Sequence, residues 1–162
     1  MITIRRATYD DVPALHALAE RFLLENLKDP ENTGFLISNF SLDVYKAYVD
    51  SAEYFWVAEE DGKLGGFLLA YKSESIKPEE VINSCLRYSV IQPFTLIKQI
   101  CSSGEVRGAA SALYQKLFDE MDTELALAAV VNEPLTPSRL NTIANWASAI
   151  CGICTPRPTT MA

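Results

Sequence analysis

Apolar positions along the chain switch period several times, and each switch marks an element. Ile2 and Ile4 alternate with Thr3 and Arg5, the pattern of a short strand. Thr8 can cap a helix, and Asp11 three residues on resembles a capping box with Asp in place of Glu. Val12, Leu15, Ala19, Phe22 and Leu23 then recur at helical spacing, predicting an amphipathic helix of about four turns. His16 lies within it with no local acid or nucleophile, and reads as a surface or core-edge residue. Residues 29–34 are turn chemistry. A second helix is predicted over 42–49, capped by Ser41, then a strand over 54–58. The turn 59–63 returns the chain as a strand over 64–71, a hairpin expected in the middle of a sheet.

The second half repeats this grammar. A helix over 79–88 starts after Pro78, a good first-turn residue. A strand over 94–101, a loop over 104–108 and a strong helix over 109–121 follow. Residues 125–131 are continuously apolar, the signature of a strand buried on both faces. Thr136, Pro137 and Ser138 open a last helix, and the tail 155–162 is expected to fray. The order is β-α-(α)-β-β-(α)-β-α-β-α, which predicts one mixed α/β domain over residues 1–154.

Composition narrows the function classes. With 162 residues, of which 49% are hydrophobic and 22% charged, the chain can bury about two-thirds of its unfolded surface in one core. A net charge of −7 gives no global field for nucleic acid or an anionic membrane, although a local basic site for one phosphate group remains open. The longest apolar stretches, 67–71 and 126–131, are far shorter than the roughly 20 residues that span a bilayer. The first six residues lack the apolar core of a signal peptide. Cys85, Cys101, Cys151 and Cys154 form no regular framework, so a reducing cytoplasm is expected. Cys151 and Cys154 make a lone CxxC. Zinc would need two more ligands, and the single histidine is distant in sequence, so no metal is expected.

The informative segment is 98–114. A strand ends there, a short loop follows, and a helix begins with small residues: Arg107-Gly108-Ala109-Ala110-Ser111-Ala112. A helix N-terminus exposes unpaired N–H groups and partial positive charge, and small side chains let an anion approach the backbone. Arg107 adds a full charge at the edge. A tight strand-to-helix turn that simply packs well would carry the same residues.

This segment resembles motif A of the GNAT superfamily of acetyl-CoA-dependent N-acetyltransferases, whose pattern is Q/R-x-x-G-x-G/A. The order of elements before it is similar too: Ile4-Arg5-Arg6-Ala7-Thr8 with Asp11-Val12 looks like that family's first strand and helix. Trp56-Val57-Ala58-Glu59 with Gly65-Gly66-Phe67-Leu68 looks like its central hairpin. The resemblance covers roughly residues 1–140. It implies a GNAT-like mixed central sheet flanked by helices, lacking the usual last strands, and acetyl-CoA as cosubstrate. It also implies that Ile100, Cys101 and Ser102 offer backbone groups to the pantetheine arm as an extra strand would. Arg107, Gly108, Ala109, Ala110, Ser111 and Ala112 would cradle the pyrophosphate. Two positions depart from the pattern: Val106 stands where Gln or Arg is usual, and Ala110 replaces the first motif glycine. Asn132, with Ser138 six residues later, resembles motif B, whose Asn faces the cofactor arm; a helix-entry turn with Pro134 and Pro137 reads the same way.

Amine attack on a thioester requires a neutral amine, a polarised carbonyl and a proton for the leaving thiolate. The family supplies that proton from a tyrosine, and the matching position here is Thr142, a poor acid. Glu59, Glu60 and Glu133 are candidate bases, each read more readily as a solvated surface acid. No catalytic residue is therefore assigned. Cys101 has no His or Asp placed to activate it, so a buried structural thiol is expected rather than a nucleophile.

The C-terminus departs most. The family follows motif B with Leu-Gly-Phe and two more strands, whereas this chain reads Asn145-Trp146-Ala147-Ser148. Starting each triplet at the third base of the preceding codon, Asn145-Trp146-Ala147 becomes YTG-GGC, which must be Leu-Gly. A TCN codon for Ser148 then allows Phe, and the triplet across Asn141-Thr142 becomes Tyr or His. We therefore expect a frameshift near residues 139–141, which sequencing of the source gene tests. An exposed sheet edge would result, favouring strand exchange or a homodimer. Three readings follow. One is an N-acetyltransferase acting on a small-molecule amine or peptide N-terminus by direct attack in a ternary complex. The others are a non-catalytic acyl-CoA-binding or sensor domain of the same fold, and a purely structural domain.

Overall fold

The computed structural model describes residues 1–28, 36 and 39–128. Its elements are β1 (Thr3–Arg6), α1 (Val12–Arg21), α2 (Leu42–Ser51), β2 (Tyr54–Glu60), β3 (Lys63–Lys72), α3 (Val81–Ser89), β4 (Thr95–Ser102), α4 (Ala109–Glu120) and β5 (Ala126–Leu127). The strands form one sheet in sequence order. All neighbours are antiparallel except β4 and β5, which are parallel. The β2–β3 hairpin occupies the middle, as its apolar pattern predicts.

Local chemistry sets the helix ends. A 3-10 turn at Tyr9–Asp11 precedes α1. The Asp11 carboxylate accepts from the Thr8 N–H at 2.8 Å and the Thr8 hydroxyl at 2.9 Å. Thus the Thr8–Asp11 signal is real but caps the 3-10 turn, and the α-helix proper begins at Val12. It also ends earlier than the spacing predicts. Phe22 and Leu23 leave the helix, and Leu23 bridges to Leu36 in parallel fashion. Ser41 Oγ accepts from the Val44 N–H at 3.3 Å, capping α2 as expected.

Alternation along the central strands feeds two apolar layers. Phe55, Val57, Phe67, Leu69 and Cys101 face α1 and α2, packing on Val12, Leu15, Ala19 and Tyr45. Trp56, Ala58, Leu68 and Ala70 face α4, packing on Ala109, Leu113 and Leu117. Leu15, Leu68, Leu113 and Leu117 are fully buried, each stabilising the fold by about 1.5–3 kcal/mol relative to exposure. A third cluster joins Tyr71, Ile76, Phe94, Leu96 and Leu125 beneath α3.

Two features of the sheet position the site. Leu69 pairs with Gln99 and Ala70 with Ile97, so Lys98 is an extra residue and β4 bulges there. Gly65 and Gly66 let β3 approach the β4–α4 turn. A Cβ on Gly65 would stand 2.7 Å from Val106 Cβ, and one on Gly66 would stand 2.5 Å from the Cys101 carbonyl. Among the described residues no helix is long and apolar enough to cross a membrane. The turn predicted at 29–34, most of the 125–131 strand, the last helix, the CxxC and the tail lie outside the described residues.

Candidate functional site

β4 carries the site because its two edges differ. One edge is paired along its length with β3. On the other, the described residues of β5 pair with Thr95 and Leu96. From Ile100 to Ser102 that edge has no strand partner among the described residues. Backbone N–H and C=O groups on an unpaired edge are a template for an extended ligand that pairs like a strand. Ile100, Cys101 and Ser102, expected to meet the pantetheine arm, all lie in this stretch.

The strand then runs into a short turn pinned to β3. Gly65 carbonyl oxygen accepts from the Ser103 N–H at 2.9 Å and its hydroxyl at 3.2 Å, while Ser103 Oγ accepts from the Glu105 N–H at 3.2 Å. Gly104 and Gly108 adopt φ of +78° and +89°, the left-handed region that favours glycine. Gly108 is the N-cap of α4, and no side chain caps it. The first intrahelical bond runs from the Ala112 N–H to the Gly108 carbonyl at 3.0 Å. The N–H groups of Ala110 and Ser111 therefore open the helix without a side-chain acceptor, at its positive end. Ala110 and Ala112 are half-buried, Ser111 and Arg107 are exposed, and Arg107 has no ion pair among the described residues.

The structure thus brings Ile100–Ser102 and Arg107–Ala112 together at one end of β4. Arg107, Ala110, Ser111 and Ala112 suit a phosphate group: a helix terminus that no side chain caps, small side chains, and a cation with no ion pair among the described residues. Ala109 is fully buried, and its N–H donates to the Val106 carbonyl at 3.3 Å. Asn132, Ser138, Glu133 and Thr142 lie outside the described residues. Val106 is 4% exposed and packs on Gly65 and α4, so this position anchors the turn and offers no polar contact.

Cys101 is buried, and burial pushes its thiol up to about 12, outweighing the lowering effect of the Arg21 charge. A thiol at that value is not a nucleophile near neutral pH. His16 is half-buried with its ring edge-on to Tyr45, as a core-edge residue. Glu59 is not freely solvated: it pairs with Arg5 at 3.0 Å, and Arg5 also holds Asp11 at 2.8 Å. Glu60 meets the N-terminal ammonium at 2.8 Å. Among the described residues no group of His, Cys, Asp or Glu could hold a metal ion.

Sequence reasoning missed one polar cluster on the α2 side of β4. Glu80 Oε2 accepts from Tyr71 Oη at 2.6 Å, Asn83 Nδ2 at 2.6 Å and Lys98 Nζ at 2.7 Å. Burial raises the Glu80 carboxyl, but the hydrogen bonds from Lys98, Tyr71 and Asn83 outweigh it and leave the group below its ordinary value. Burial, then the Glu80 hydrogen bond, raises the Tyr71 hydroxyl far above its ordinary value. Beside it, Tyr45 Oη donates to Gln99 Oε1 at 2.8 Å. The bulge places Lys98 and Gln99 consecutively on this face. The signal was present in Ile97-Lys98-Gln99-Ile100, where two polar residues between two apolar ones break the period of two.

No family model matches the chain, and no curated protein matches it. Solved structures do. A GNAT-family acetyltransferase from Bacillus cereus is 16% identical, with a TM-score of 0.50, over 88% of this chain and 80% of that one. The ribosomal-protein-S18-alanine N-acetyltransferase from Escherichia coli is 15% identical, with a TM-score of 0.56, over 91% and 76%. An N-acetyltransferase from Staphylococcus aureus is 19% identical, with a TM-score of 0.55, over 90% and 82%. At these identities the likeness establishes the fold: a GNAT-type mixed sheet flanked by helices.

Proposed function

We propose that this chain is an acetyl-CoA-dependent N-acetyltransferase that transfers an acetyl group to the primary amine of a small molecule or a peptide N-terminus. One observation carries the reading. Within a GNAT-type fold, the edge of β4 at Ile100–Ser102 leads directly into a helix N-terminus that no side chain caps, beside Arg107, and among the described residues that edge has no strand partner and Arg107 no ion pair. The E. coli protein of similar fold acts on an alanine of a ribosomal protein, which supports an N-terminal or other small amine as acceptor.

Each half of the site has its own work. The Ala110 and Ser111 N–H groups and Arg107 bind and orient the pyrophosphate. The backbone of Ile100–Ser102 aligns the arm along β4 and polarises the acyl carbonyl. Acetyl-CoA supplies a thioester open to attack by a neutral amine. The N–C bond forms as the C–S bond breaks, and the proton lost by the amine ends on the CoA thiol. The raised pKa and burial of Cys101 support direct transfer without an acyl-enzyme. Cys85, an exposed free thiol, supports a reducing cytoplasmic setting.

One observation favours the second reading, a non-catalytic acyl-CoA binder. The Tyr71 and Tyr45 hydroxyls near β4 are committed to Glu80 and Gln99, so neither is poised as an acid. CoA release in the presence of acetyl-CoA and a panel of amines separates the two. Amine-dependent release supports the transferase; saturable acetyl-CoA binding without release over the whole panel supports the binder.

A further inference from the structure

α3 buries one apolar side and exposes another. Its inner side turns Asn83 into the protein and lays Leu86 and Val90 on the cluster of Tyr71, Phe94 and Leu96. Its outer side exposes Val81 at 69%, Ile82 at 62% and Tyr88 at 88%, and Ile91, just past the helix, is fully exposed. Four of the eight large apolar side chains exposed on the described surface therefore fall within eleven residues. Cys85, also exposed, sits among them at i+4 from Val81 and i−3 from Tyr88. That spacing makes one continuous strip.

Two features say what covers the strip. First, it carries no charge. Arg87 is the only charged residue of 81–92, and it lies about 120–160° around the helix from Val81 and Cys85. A chain of net charge −7 repels its own copies over most of its surface, so copies can meet only where like charges are not brought together. Second, the area suits a pair. At these exposures the side chains present on the order of 550 Å². Two copies would bury about 1,100 Å², above the roughly 1,000 Å² that a specific interface needs and at its low end.

We propose that the outer face of α3 is a self-association surface. Two copies pack their α3 helices antiparallel across a two-fold axis, burying Val81, Ile82, Tyr88 and Ile91. In an isologous contact the middle of the patch meets its own copy. The middle of 81–91 is 85–86, and Cys85 is the outward-facing member, so the two Cys85 thiols lie near the axis. β4 starts beside α3 and ends at the candidate site about 23 Å away, so the pair leaves both sites open. The inference is independent of the proposed reaction.

Sedimentation velocity over a concentration series up to about 0.5 mM tests it, with a short bismaleimide as the second readout. The expected mass rises toward twice the 18.0 kDa chain mass. Tyr88→Glu and Ile82→Glu, both on the solvent side, remain monomeric with unchanged melting temperatures. If Tyr88→Glu misfolds, Tyr88→Ser replaces it and weakens association at least about tenfold. With Cys151 and Cys154 changed to serine, the full chain cross-links into a dimer, and Cys85→Ser abolishes the product. A monomer across the whole series overturns the proposal. So does a dimer indifferent to the Tyr88 and Ile82 substitutions, or one in which Cys85 does not cross-link.

Discussion

Gly65→Ala probes whether the β4–α4 turn is supported as described. The new methyl would lie 2.7 Å from Val106 Cβ, 3.0 Å from Val106 Cγ2 and 3.2 Å from Ala109 Cβ. Ordinary carbon contacts are about 3.5–4.0 Å, so the turn must move by roughly 1 Å. β3 yields little here, because the neighbouring Gly66 is paired with both Ala58 and Ser102 and the Gly65 carbonyl is bonded to the Ser103 N–H at 2.9 Å. Overpacking of this kind costs about 1–3 kcal/mol, offset by about 0.4–1 kcal/mol from the stiffer unfolded chain. The net loss of about 1–2 kcal/mol lowers the melting temperature by about 2–8 °C, read by circular dichroism. The contact is with Val106 Cβ itself, so Val106→Ala leaves most of the strain in place. Val106→Gly removes it, and Gly65→Ala then costs at least about 1 kcal/mol less. An unchanged melting temperature, or the same cost in the Val106→Gly background, would refute the reasoning.

Two further perturbations follow from the charge pairs. Hydrogen bonds from Arg5, then from Thr8, hold the Asp11 carboxyl at about 2 against the opposing effect of burial. The stability it supplies is therefore complete above about pH 4 and is lost as pH falls toward 2. With Arg5 39% exposed, solvent screening reduces the gain to about 1 kcal/mol. Urea unfolding of Asp11→Asn should show a deficit of that size at pH 6 that closes by pH 2, and a pH-independent deficit would contradict this. Lys98→Met leaves the Glu80 carboxylate with only Tyr71, Asn83 and a backbone donor. Both partners are largely buried, at 20% and 11% side-chain exposure, so unfolding free energy should fall by about 2–3 kcal/mol. A loss below about 0.5 kcal/mol would mean that the pair is effectively solvated.

The elements were legible where one force dominated. The hairpin, Ser41 and the apolar stripe of α4 each speak through local pattern alone, and the structure follows them. α1 was misread because Phe22 and Leu23 fit a helical stripe, yet tertiary pairing of Leu23 with Leu36 draws the chain out of the helix. Lys98 and Gln99 were passed over as a pair because a strand was assumed to alternate, although their broken period of two marks the bulge that the β3 register shows. The turn at Gly104 and Gly108 and the start of α4 were readable because helix termini obey backbone physics that needs no tertiary context. Glu80 was not readable. Its partners come from β3, α3 and β4, and no spacing in the chain announces that they converge.

The central claim is that the edge of β4 at Ile100–Ser102 and the start of α4 hold acetyl-CoA. Thermal-shift titration with acetyl-CoA, with ATP as control, tests it most directly on the full chain. A ligand bound only by the native state adds about 2.7 kcal/mol at 100 times its dissociation constant, a shift of roughly 5–10 °C. We expect a saturable shift with acetyl-CoA, none with ATP, and its loss in Arg107→Glu without change in the unliganded melting temperature. No shift up to millimolar acetyl-CoA, or an undiminished shift in Arg107→Glu, would contradict the assignment.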